Sequence, residues 1–251
     1  MRVLILGGTT EASTIASALA NDPRYTTVLS LAGRTRAPME QPVPVRVGGF
    51  GGAKGLAFYL RDERIAAMID ATHPFAHRIR ANAVLAASAE GIPRIAVLRP
   101  PWEPVLGDDW RVVATMQEAF EAIGALPQHV FLTVGQKELA PFLPPHRYLI
   151  RSVDAPDLSA FAAEARTITA RGPFDETDEL ALMRDNAIDV LVTKNSGGEA
   201  TAAKLAAARK LGLPVVMVAR PDPPPGETVQ TAAQAVDWLA RQGEPPLWRG
   251  V

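Results

Sequence analysis

The chain has 251 residues, 47% hydrophobic and 21% charged, which excludes disordered and fibrous classes and allows one large or two small domains. Its 26 basic and 27 acidic residues leave a net charge of −1, without the basic excess typical of a nucleic-acid binder. It has no cysteine, which excludes disulfides, thiolate nucleophiles and Cys-ligated metal centres. The apolar part of MRVLILGGTTEAS is too short for a signal peptide, and no apolar run approaches a membrane span. A soluble, cytoplasmic protein with no nucleic-acid or membrane partner is expected.

Residues 2–6 predict a strand, and the spacing of Ala12, Ile15, Ala16 and Leu19 predicts a helix that stops near Asn21-Asp22-Pro23. A second strand is expected over 26–33, a brief one over 43–47, a helix over 53–62 and a strand over 65–70. The segment 73–91 reads as a helix with Pro74 in its first turn, followed by a strand over 94–100. Strands alternating with helices argue for a parallel sheet covered on both faces.

The second half repeats this plan. Residues 48–75 lie against 171–198, with Phe50 matching Phe174, Leu56 matching Leu180 and Ile69 matching Val192. GIPRIAVLRPP at 91–101 lies against GLPVVMVARPD at 212–222, and VLILGGTTEA at 3–12 against VFLTVGQKEL at 130–139. WRVVATMQEAFEAI at 110–123 resembles ETVQTAAQAVDWLA at 227–240. The expected fold is therefore α/β, two Rossmann-like doubly wound parallel-sheet domains arising from internal duplication, with a ligand cleft between them. The expected domains are 1–110 and 111–251, with the last strands open to exchange. In such sheets ligands bind beyond the carboxyl ends of the strands.

The loops there carry the candidate chemistry. Gly7-Gly8-Thr9-Thr10-Glu11 joins the first strand to the first helix, where backbone N–H groups and the helix dipole can receive a phosphate, although the GxGxxG spacing is absent. The second strand ends in AGRTR. Arg34 and Arg36 stand where an NAD-binding domain places an acid, so they suit the 2′-phosphate of NADP. A clamp on substrate carboxylates or a solvated surface pair are the alternatives. GGFGGAKG at 48–55 reads as a lid or a flexible connection. His73, in DATHPF, stands where it could touch a ligand and donate a proton, or serve only as a helix cap. Its spacing from His77 invites a metal reading that no further ligand supports. Thr193-Lys194-Asn195-Ser196-Gly197-Gly198, with Lys204 downstream, reads as a second anion site or a plain helix start. Arg99, Lys137, Arg151 and Arg220 are further cations at expected strand ends. The absence of a nucleophile–His–acid set favours chemistry supplied by a cofactor.

LILGGTTEA, AGRTRAP, VRVGGFGG, IDATHPFA, RGPF and TKNSGG, in this order, resemble the precorrin-6A and cobalt-precorrin-6A reductase family from residue 1 to about 225. The resemblance implies NADPH-dependent reduction of one double bond of a precorrin macrocycle in cobalamin biosynthesis, with basic residues on the substrate carboxylates. Gly7, Gly8, Thr9, Thr10, Arg34 and Arg36 match the family's first-domain motifs, and Lys54, His73, Lys194, Ser196, Gly197 and Gly198 its loop and later motifs; the motifs do not say which lobe takes NADPH. The AGRTR argument assigns the first set, with Glu11, to the coenzyme and leaves the second, with the strand-end cations Arg99, Lys137 and Arg151, to the tetrapyrrole. The N-terminal domain is expected to hold NADPH, the C-terminal one the precorrin, with His73 as candidate proton donor and neighbouring pathway enzymes as partners for product hand-over. The alternatives are an NADP-dependent oxidoreductase acting on another polyanion and a two-lobed binding protein without catalysis. The Tyr-x-x-x-Lys dyad of sugar-type oxidoreductases is absent, since Tyr25, Tyr59 and Tyr148 are followed four residues on by Leu, Glu and Ser.

Overall fold

The computed structural model describes residues 1–33 and 39–242. The chain opens with β1 (Arg2–Leu6), α1 (Thr10–Leu19), β2 (Thr26–Leu31), β3 (Val45–Val47), α2 (Ala53–Asp62), β4 (Ala67–Asp70), α3 (His77–Glu90) and β5 (Arg94–Val97). It continues with β6 (Trp110–Val113), α4 (Met116–Ile123), β7 (His129–Thr133), β8 (Arg147–Ser152), β9 (Glu164–Thr169) and α5 (Glu176–Asp185). β10 (Val190–Lys194), α6 (Ala203–Leu211), β11 (Val215–Val218), β12 (Thr228–Val229) and α7 (Ala232–Gln242) complete it.

These elements form two compact units, one from Met1–Arg99 with the segment from Asp222 onward, the other from Pro100–Pro221. Each holds one six-stranded sheet, in the orders β12-β5-β4-β1-β2-β3 and β6-β11-β10-β7-β8-β9. Every strand pair is parallel. The first order reproduces the doubly wound 3-2-1-4-5-6 arrangement, whose winding reverses between the first and fourth strands; the second has the same layout with its own first strand, β6, at the edge that β12 takes in the first.

The division differs from the expected boundary at 110/111, and strand pairing explains why. β6 pairs with β11 (Trp110 opposite Val215), and β12 pairs with β5 (Thr228 opposite Ala96). The strand-and-helix repeats at 110–123 and 227–240 thus take the same edge position in the two sheets, the former as the start of its own unit, the latter after the chain has returned to the first.

β1 is apolar at successive positions because both faces are covered. Val3 and Ile5 point with Leu29, Ile69 and Ile95 toward α1 and α7, where Ile15, Ala16, Trp238 and Leu239 meet them. Leu4 and Leu6 point with Met68 to the other face, against Leu56 and Leu60 of α2 and Ala83 and Ala86 of α3. In the second unit Phe131, Leu191 and Met217 pack on Met183 of α5 and Leu205 of α6.

One expected helix is corrected, and one matched segment diverges. The segment 73–91 becomes helical only at His77, because residues 73–76 form a turn in which the Ala76 N–H donates to the His73 carbonyl at 2.7 Å. Pro74 therefore precedes the helix. After β7, the match to the α1 region ends in a three-residue 3-10 turn, Gln136–Glu138. Pro141 has no N–H with which to continue a helix, and Glu138 folds back onto the Gly135 N–H at 2.7 Å.

Candidate active site

The carboxyl ends of β1, β4 and β5 enclose a shallow concavity at the switch point of the first unit, lined by Thr9, Glu11, Ala71, Thr72, Pro74, Val97 and Arg99. Thr9 builds the near wall. It caps α1 by accepting the Ala12 N–H at 3.2 Å, and its hydroxyl donates to the Ala71 carbonyl at 2.7 Å, tying the helix start to the end of β4. That proton is engaged inside the fold, so what Thr9 offers a ligand is position. Gly7 donates to the Ser30 carbonyl at 2.9 Å, and a Cβ there would stand 2.6 Å from Leu29 Cδ1. Gly8 adopts φ +112 with nothing within 4 Å of where its Cβ would be, so its backbone is open on that side. Thr10 is exposed.

Glu11 and Arg99 form the rim. Arg99 Nη1 donates to both Glu11 oxygens, at 3.0 and 2.9 Å. Burial works to raise the Glu11 pKa, but the Arg99 charge, the residue's own backbone N–H and the Arg99 hydrogen bond together outweigh it, holding the carboxyl below its usual range. Arg99 lines the concavity, already carrying a carboxylate. Between Thr72 and Pro74, His73 accepts the Phe75 N–H at Nδ1, 3.3 Å away, which puts the proton of the neutral ring on Nε2. Arg34 and Arg36 lie outside the described residues.

Lys54 is exposed in the first turn of α2. The glycine loop before it, read as a lid, is tethered: Arg46 donates to the Gly48 and Gly49 carbonyls at 2.5 and 2.8 Å and stacks 3.8 Å from the Phe50 ring centroid.

The remaining expected contacts belong to the second unit. Lys194 donates to both Glu138 oxygens at 2.8 Å. Lys137 is exposed in the 3-10 turn, and Ser196 is buried. Gly197, at φ +66, answers a close approach within the fold, since a Cβ there would lie 2.0 Å from the Pro100 carbonyl oxygen. The loop around it grips residues 100–102. Asn195 accepts the Trp102 N–H at 2.8 Å and donates to its carbonyl at 2.9 Å, while Trp102 Nε1 donates to the Gly198 carbonyl at 3.0 Å. Lys204 lies 4.7 Å over the Trp102 ring. Arg151, expected to clamp substrate, is buried in a two-pronged ion pair with Glu179 and stacks 3.8 Å from the Phe174 ring centroid. A guanidinium so far from water needs such a partner, and Glu179 satisfies it inside the fold.

Sequence reasoning gave no role to Asp70, Arg80, Arg94, Glu138 or Glu179. The only textual signal was the matched position of Glu11 and Glu138 in the two halves, each found here on a cation. Among the described residues no group of three His, Asp or Glu side chains is placed to hold a metal ion, and no helix is long and apolar enough to cross a membrane.

A family model described as "Precorrin-6x reductase CbiJ/CobK" matches residues 2–240. The chain is 50% identical over 245 residues to the precorrin-6A reductase of Sinorhizobium sp, covering 95% of this chain and 94% of that one. It is 45% identical over 252 residues to that of Rhodobacter capsulatus, covering 100% and 99%. Similarity to the cobalt-precorrin-6A reductase of Priestia megaterium is 26% over 253 residues, covering 96% and 98%. A solved structure titled "CobK precorrin-6A reductase" superposes with a TM-score of 0.90 at 44% identity, each chain covered completely.

Proposed function

The chain belongs to the precorrin-6x reductase family, and from that premise we propose that its first unit holds NADPH while its exposed cations hold carboxylates of the macrocycle. The activity is that of a precorrin-6A reductase, an oxidoreductase that removes one carbon–carbon double bond of the precorrin in cobalamin biosynthesis. The substrate is the cobalt-free macrocycle, a reading supported by 45–50% identity to two precorrin-6A reductases against 26% to a cobalt-precorrin enzyme.

One contrast carries the coenzyme assignment. The turn after β1 leaves open space over Gly8 at the start of a ten-residue helix. The matching turn after β7 is filled by the chain itself, with the Glu138 carboxylate on the Gly135 N–H and on Lys194. A phosphate near the second turn would meet a carboxylate seated on the glycine N–H, whereas in the first the Glu11 carboxylate is held by Arg99 and its own N–H, and the space over Gly8 at the helix N-terminus stays open. Gly8 and Thr10 would hold the pyrophosphate, with Gly7, whose N–H is taken by Ser30, turning the chain beside them, and Arg34 and Arg36, which follow the second strand in the sequence, the 2′-phosphate. NADPH, when bound, supplies the hydride. The chain's part is to orient the reacting faces and to hold a proton, for which His73, in the turn between Thr72 and Pro74, is the candidate.

Titration of the protein with NADPH and NADH by fluorescence tests the assignment. A strong NADPH preference that is lost in Arg34→Ala and Arg36→Ala is expected. Unchanged binding in both variants would make these arginines substrate clamps and move the coenzyme to the second unit. For His73→Ala, turnover should fall and its pH dependence change; wild-type values for both would remove the proton-donor role.

A further inference from the structure

Beneath the concavity lies a set of buried charges that contact with coenzyme or macrocycle does not explain. Arg80, in the first turn of α3, is 1% exposed, although it faces the same interior as Ala83, Ala86 and Ala87. An apolar side chain would fill that space without the several kcal/mol that burying a guanidinium costs. What Arg80 adds is a bridging donor. Its Nη2 reaches the Thr72 carbonyl at 2.8 Å and the Val97 carbonyl at 3.3 Å, bridging the segment after β4 to the end of β5.

The segment it holds is fixed from other sides as well. The Thr72 N–H and hydroxyl both donate to Asp70 Oδ1, at 3.2 and 2.7 Å, so every polar group of Thr72 has a partner. The preceding carbonyl, of Ala71, accepts from Thr9. Asp70 is fully buried, and its second oxygen lies 3.5 Å from Arg94 Nη1. Of the charged groups in this region, only Glu11 and Arg99 line the concavity; Arg80, Asp70 and Arg94 are buried behind its wall. The second unit solves the same problem differently. Its matching carbonyl, of Asn195, accepts from Arg220 Nε at 3.2 Å, an arginine beyond the end of β11. In the first unit the matching arginine, Arg99, is turned to Glu11 at the rim, and Arg80 supports the carbonyl from below.

We propose that Arg80 is a positioning residue for the reaction, fixing the Thr72–Pro74 turn, and with it His73, against the end of β5 so that the first unit meets its ligand in one geometry. The inference rests on the reading that this ligand is NADPH, and its test separates the two. Arg80→Lys keeps the buried charge on a side chain one atom shorter, so its nitrogen falls short of the point from which Nη2 serves both carbonyls; Arg80→Met keeps the bulk and removes the donors. For both, the melting temperature, the Kd for NADP⁺, and KM and kcat with NADPH and precorrin-6A are measured.

Arg80→Lys is expected to fold and to bind NADP⁺ about tenfold more weakly, the loss of one charge-assisted hydrogen bond, with KM for precorrin-6A unchanged. Arg80→Met should be weaker again. Wild-type NADP⁺ affinity, KM and kcat in Arg80→Lys, with only the melting temperature lowered, would overturn the proposal and leave Arg80 a stabilising residue. A rise in KM for precorrin-6A with NADP⁺ affinity unchanged would uphold the positioning role and overturn the placement of NADPH in this unit. Arg80→Lys decides between these outcomes even if Arg80→Met does not fold.

Discussion

The second unit keeps a histidine where solvent barely reaches it. His146 is 2% exposed and stands edge-on to Phe120 at 5.7 Å and Tyr148 at 6.2 Å between ring centroids. Burial pushes its pKa down, with the Gly124 backbone opposing in part, so the fold holds the neutral imidazole. The unfolded chain takes up a proton near pH 6.5 that the folded chain refuses, so this residue's contribution is complete above that pH and is lost as pH falls toward the folded value. Over that window one such group makes stability fall by up to about 1.4 kcal/mol per pH unit. Melting temperatures between about pH 7 and 5 should therefore fall less steeply in His146→Phe than in the wild type. Equal slopes would show that other groups govern acid sensitivity. Ionisable residues such as this one are poorly legible in sequence, because burial and partner decide their chemistry. Arg151 and Arg99 read alike as strand-end cations, yet one is sealed against Glu179 and the other reaches the rim with Glu11. Arg80 reads as an ordinary surface arginine on an Ala-rich helix, and only its burial marks it as part of the site's support.

At the scale of elements, most of the fold was legible because local signals and tertiary demand agree. The spacing of Leu56, Ala57 and Leu60 predicts a helix over 53–62, and α2 occupies those residues, with all three side chains buried. The glycines ahead of it were legible as glycines but not in purpose. Gly55 lies inside the helix, where alanine would add about 1 kcal/mol by propensity alone. A Cβ there would stand 1.7 Å from the Phe50 carbonyl oxygen, and that overlap outweighs the propensity gain. The run GGFGGAKG therefore packs against itself, held by Arg46. The early start expected for the helix over 73–91 and the short turn at 136–138, where its match 9–11 opens a helix, have a shared cause: bonds specific to those turns, the Phe75 N–H to His73 Nδ1 and the Gly135 N–H to Glu138, hold the chain out of a helix.

For the whole molecule, the exchange of edge strands makes the two units unequal in how they are assembled. The second is one uninterrupted stretch, Pro100–Pro221, containing all six strands of its sheet. The first is drawn from two stretches 122 residues apart, and its core is completed by Ala235, Trp238 and Leu239 of α7, each almost fully buried against α1 and β5. At about 1.5–3 kcal/mol for each large side chain, Trp238 and Leu239 together supply about 5 kcal/mol, comparable to the whole stability of an ordinary domain. Residues 100–221 produced alone are expected to fold, with an α/β circular-dichroism spectrum and a single cooperative melt. Residues 1–99 alone should show neither, and should gain both when a peptide of residues 222–242 is added, because that peptide supplies β12 to the edge of β5 and the apolar face of α7 to the core. A cooperative melt of residues 1–99 without the peptide would mean that β1–β5 and their helices already form a sufficient core. The exchanged edge would then serve to join the units, with the first unit's stability independent of it.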